Sequence, residues 1–170
     1  MNKIIYLIVL FSIAILFYGC PYESQVAIDT PSIKVGKSYS GVWGFKNGST
    51  KYLVSKADDF HLKIAQLPAE SKEPDAKTAQ DTVMYLAHFS KIKDADFLNI
   101  SQISKYDAPG SSRYYLYKFS VKSENEISLT EVTSNIKEKF STSEKLKAFI
   151  EKYMDLSFFF GTESVYVREL

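Results

Sequence analysis

Residues 41–54 read GVWGFKNGSTKYLV. Two short apolar runs flank Asn47-Gly48, and an Asn-Gly pair in that setting signals a β-hairpin, because a two-residue turn that matches strand twist needs positive φ at both central residues. The stretch predicts strands near 41–46 and 51–57. Trp43, the only tryptophan of the chain, sits on the first of them.

Downstream the same period of two recurs. In FHLKIAQL, Phe60, Leu62 and Ile64 alternate with His61, Lys63 and Ala65, which predicts a third strand after an Asp58-Asp59 turn. Residues 68–80 hold two prolines and mixed charges and read as a long exposed loop, with room for one helical turn between Ala69 and Ala79. TVMYLAHFSKI and FLNISQIS predict two more strands joined by a turn over Lys93 to Asp96, and APGSS a loop. RYYLYKFSV, residues 113–121, puts Tyr115, Tyr117, Phe119 and Val121 on one face and Lys118 and Ser120 on the other. EISLTEV follows as a strand, IKEKF at 136–140 as one more short strand, and SVYVREL as the last.

Between these last segments the period changes. Ser141 and Glu144 have capping-box spacing, and Leu146, Phe149, Ile150 and Tyr153 fall on one stripe of a helix at about 143–154. The expected fold is mainly β: an antiparallel barrel of eight to nine strands over residues 41–170 with one late amphipathic α-helix, closure being the way such a chain leaves no strand edge exposed.

Upstream of the hairpin, residues 20–40 carry two prolines and no sustained period and read as a tether. Residues 1–19 place Lys3 before an uncharged apolar run at 4–18, shorter than the roughly 20 residues of a spanning helix, which is the layout of a cleaved signal peptide. Gly19 then precedes Cys20, the only cysteine, so no intrachain disulfide can form and packing must stabilise the fold. Without residues 1–19 and their single lysine, the 21 basic residues fall to parity with the 20 acidic ones. A chain without a basic surplus is a poor nucleic-acid binder. Twelve Tyr and twelve Phe against seven Gly describe a chain with ample apolar area for one core.

Little in the sequence points to catalysis. His61 and His88 are the only histidines, neither G-x-S-x-G nor H-E-x-x-H occurs, and no glycine-rich phosphate loop is present. The expectation is a non-enzyme with no catalytic residues, no metal and no cofactor. The Tyr115, Tyr117 and Phe119 face either fills the core or lines a cavity, since a barrel of about eight strands can be plugged by side chains or hold one small ligand.

Two resemblances add to these readings. Leu16-Phe17-Tyr18-Gly19-Cys20 resembles the processing site of bacterial lipoproteins, and the chain looks like the small Bacteroidota lipoproteins that begin G-C-P-Y-E-S. That likeness implies lipidation of Cys20 and a place in the cell envelope, as an outer-membrane lipoprotein facing periplasm or cell surface. The alternatives are a retained signal anchor or a buried thiol. Asp81-Thr82-Val83 is similar to the O-glycosylation acceptor of the same phylum. Gly41-Val42-Trp43, with Arg168 in the last strand, resembles the G-x-W and the basic residue that close lipocalin-like (calycin) barrels. This implies a small apolar or amphipathic ligand inside the barrel. The competing reading is a filled barrel whose partner is another envelope protein.

Overall fold

The computed structural model describes residues 22–68, 83–103, 113–133 and 135–169; Cys20 and Asp81-Thr82 lie outside them. The strands are β1 (Glu23–Ser24), β2 (Gly41–Phe45), β3 (Lys51–Lys56), β4 (Leu62–Gln66), β5 (Met84–Ile92), β6 (Ala95–Ile103), β7 (Tyr114–Ser123), β8 (Glu126–Val132) and β9 (Phe160–Arg168). A single α-helix, α1 (Ser143–Tyr153), precedes β9. From β2 to β9 each strand pairs antiparallel with the next, and β9 returns to β2 with Trp43 opposite Arg168 and Phe45 opposite Tyr166. The sheet is a closed eight-stranded antiparallel barrel with β1 as an additional strand, as the alternation in the sequence predicts.

The period of two sorts the chain into two cores. One set of positions, including Leu62, Ala87, Phe89, Leu98 and Phe119, points into the barrel. The other set, including Ile92, Phe97 and Leu116, points outward and would be exposed without a cover. Leu146 and Ile150 of α1 supply it, both fully buried, with Phe149 and Tyr153 beside them. Thr142, not Ser141, caps this helix, its hydroxyl accepting from Lys145 N. No strand forms at 136–140: Ile136 and Phe140 turn their side chains into the outer core instead of pairing.

The expected tether at 20–40 is corrected from Tyr22 onward, because this segment is part of the fold. Tyr22, Ile28 and Val35 are buried in the two cores. β8 leaves the sheet after Val132, and β1 takes its place beside β7, with Glu23 opposite Tyr115 and Tyr22 N donating to Val132 O. The chain then passes under the helix. Fully buried Asn99 accepts from Ile28 N at 2.8 Å and donates to Ser90 Oγ at 2.8 Å, while Ser143 Oγ donates to Ala27 O at 2.7 Å. Lys147 pairs with Asp29 on the helix side. Beyond, Val35 N donates to Asp59 O, and a 3-10 turn at Lys37–Tyr39 crosses one end of the barrel.

The Asn47-Gly48 hairpin exists, but its turn is of another kind. Neither residue has positive φ; the connection is five residues long, closed by Phe45 N to Thr50 O, with Gly48 N donating to Phe45 O. Gly48 is needed for space: a Cβ there would stand 2.8 Å from the Phe45 ring.

Candidate functional site

Among the described residues, a plug forms at one end of the interior. Tyr39, carried by the 3-10 turn, sets its ring 5.3 Å from Phe89 and 5.7 Å from Phe119, and those two rings lie 5.1 Å apart. Its carbonyl accepts from Trp43 Nε1 at 2.9 Å, fixing the indole as part of the same floor. On the Trp43 ring lies Arg168, guanidinium carbon 4.8 Å from the centroid, which also donates to Ser38 O. Arg168 Nε is buried without a partner. Gly41, at φ +141°, lets the chain swing from this cap into β2, a conformation a side chain makes costly.

Above the floor is a cavity of about 370 Å³. The middle of its wall is aliphatic, with Val54, Ile64 and Ile100, and its far end carries Tyr52, Tyr85, Tyr115, Tyr117, Tyr166 and Gln102. Strand register explains the gathering: Tyr52 lies opposite Trp43, Tyr85 opposite Gln102, Tyr115 opposite Ile100 and Tyr117 opposite Leu98, all at inward positions. Tyr166 meets Tyr52 edge-on at 6.0 Å. None of the described wall residues carries a charge.

Burial pushes these phenols up. Tyr166 reaches about 12, with the neighbouring Tyr52 adding to the effect. Tyr117 lies higher still, through desolvation first and then the proximity of Tyr166 and Glu131. At neutral pH both are protonated donors. Tyr115 donates to Glu23 Oε1 at 3.1 Å, whereas the hydroxyls of Tyr52, Tyr85, Tyr117 and Tyr166 and the Gln102 amide bond to no described residue.

Tyr115, Tyr117 and Phe119, the residues singled out in the sequence, all line this cavity; Trp43 joins them, and Gly41 and Arg168 stand at the plugged end. Tyr52, Tyr85, Tyr166 and Gln102 were not singled out. The available signal was parity: each occupies the inward set of its strand, but only the pairing brings them together.

The histidines lie elsewhere. His88 points outward from β5 and donates from Nε2 to Asp29 O at 2.9 Å, its burial holding the imidazole below its ordinary range. His61 contacts the Asp58 carboxylate at 2.8 Å, and the two rings stand 5.8 Å apart. Among the described residues no three His, Cys, Asp or Glu side chains are grouped to hold a metal.

The barrel is compatible with a calycin-like fold. No family model, no curated protein and no solved structure matches this chain.

Proposed function

We propose that this protein is a non-catalytic binding lipoprotein of the cell envelope, a lipocalin-like barrel that takes a small apolar or amphipathic molecule into its interior. The observation that carries the reading is the cavity of about 370 Å³, which falls in the size range of small-molecule sites, roughly 300–1,000 Å³, and has their mix of aromatic wall and few polar groups. A filled barrel serving only as an interaction surface would not leave that space.

The envelope placement is supported by the apolar run ending at Gly19-Cys20. Two acyl chains hold a protein on a bilayer where one does not. Cys20 precedes Tyr22 by two residues, a reach of about 7 Å at full extension, so a lipid there would seat the barrel directly on the membrane surface.

Calorimetric titration with N-phenylnaphthylamine, a neutral aromatic probe, tests the binding claim. The account expects saturable one-to-one binding with a negative heat-capacity change, weakened several-fold in an Ile64→Phe/Ile100→Phe variant whose rings narrow the cavity. Equal binding by the narrowed variant would refute it. For the anchor, intact-mass analysis of membrane fractions should show an acylated chain starting at Cys20, and no such species after Cys20→Ser.

A further inference from the structure

Resting on that reading, we infer that the cavity selects uncharged amphipaths, with a flat apolar body against the Phe89, Phe119 and Trp43 floor and a hydrogen-bonding group among Tyr52, Tyr117, Tyr166 and Gln102, and that it discriminates against anions and cations of the same shape.

The wall's composition excludes the ions first. A charge taken out of water is costly unless paired, and none of the described wall residues offers a counter-charge. Arg168, the guanidinium nearest the floor, is not a wall residue: it lies on the Trp43 ring and is engaged by Ser38 O. Around the tyrosines the nearby charges are the carboxylates of Glu131 and Glu23 and the guanidinium of Arg113, which Glu23 takes up. Glu131 pairs across the strands with Tyr117, and Glu23 accepts from Tyr115. Both disfavour an entering anion. A cation gains from the ring faces, but Glu23 is already paired with Arg113 at 2.9 Å and neither glutamate reaches the wall, so its shed hydration is not replaced.

The neutral polar group is called for by what the described residues leave unpaired. Four phenol hydroxyls and one primary amide bond to no described residue, and each hydroxyl offers one donor and two acceptor sites. Facing the cavity and held by no described side chain, these groups are open to a guest, so a ligand oxygen that pairs several of them gains more than a hydrocarbon of equal size, which would strip them of water and offer nothing in return. The raised phenol affinity for protons, about 12 at Tyr166, keeps these groups neutral donors throughout the physiological range. At an interior-like packing density of about 0.74, the cavity takes roughly 270 Å³ of ligand, enough for two fused rings and a short polar arm.

The chain from residue 20 with Cys20→Ser carries every strand, the helix and both cores, and is the form to titrate. Four probes share a naphthyl body: naphthylethanol, ethylnaphthalene, naphthylacetate and (naphthylethyl)trimethylammonium. The expected order puts the alcohol first, about ten-fold or more ahead of both ions. Replacing two hydroxyls in Tyr117→Phe/Tyr166→Phe should cut the preference for alcohol over hydrocarbon several-fold while ethylnaphthalene still binds. An ion that binds as tightly as the alcohol overturns the inference, as does an unchanged alcohol-to-hydrocarbon ratio in the double variant; both leave the binding reading intact. Failure of all four probes, the hydrocarbon included, overturns the binding reading and this inference with it.

Discussion

Trp43 and Arg168 join the two strands that close the barrel. The guanidinium over the indole contributes about 0.5–2 kcal/mol as a cation–π contact. Arg168→Ala should therefore lower stability by about 1–2 kcal/mol in urea denaturation; an unchanged midpoint would show the contact to be idle. Gly41→Ala forces a side chain into φ +141° and should cost about 1–3 kcal/mol by the same measure. These three residues were legible in the sequence, because a tryptophan two residues after a glycine and an arginine near the far terminus are local features. His88 was legible only as an unassigned histidine. Its imidazole, buried beside Asp29 O, the His61 ring and the Tyr114 ring, is held below its ordinary value of 6.5. The unfolded chain then binds the proton more readily than the folded one, so acidification below about 6.5 favours unfolding. His88→Gln, which keeps an N–H for the Asp29 carbonyl, should lose stability less steeply between pH 7 and 5 than the wild type. Parallel pH profiles would contradict that assignment.

At the scale of elements, the strands and the helix follow from their periods, and the segment before them does not. Residues 22–40 visit three surfaces, through Tyr22 beside β8, Ile28 under α1, and Val35 and Tyr39 at the plugged end. Anchors so spaced form no repeat, and a proline among polar residues looks the same in a tether. Two of the hydrogen bonds that hold the segment come from Asn99 and Ser143, more than 70 residues away in the chain. Ile28→Ala should therefore cost about 2–4 kcal/mol, as for a core residue. A tether residue would cost nothing, and that result would return the segment to its first reading. Ile150→Ala, on the facing helix, should cost a similar amount. The Asn47-Gly48 turn shows the complementary limit: the pair marks the hairpin, but the length of the connection is set by where Phe45 and Thr50 meet.

For the whole molecule, closure was legible and the hollow interior was not. Alternation tells which side chains face inward, yet whether they fill the barrel depends on how their volumes add across eight strands. Here the Phe89, Phe119 and Tyr39 rings fill one end, while the aromatic residues of the other end stand around a space they do not occupy. The central claim is that this space takes a ligand, and the chain carries its own reporter, since Trp43 is the sole tryptophan and part of the wall. Energy transfer from Trp43 to N-phenylnaphthylamine reads occupancy of the interior directly. The account predicts saturable loss of Trp43 emission with matching gain from the probe at one per chain, its midpoint moved several-fold to higher probe concentration when Ile64→Phe/Ile100→Phe narrows the cavity of a still-folded barrel. Unchanged Trp43 emission at saturating probe, or an unmoved midpoint in the narrowed variant, would contradict it.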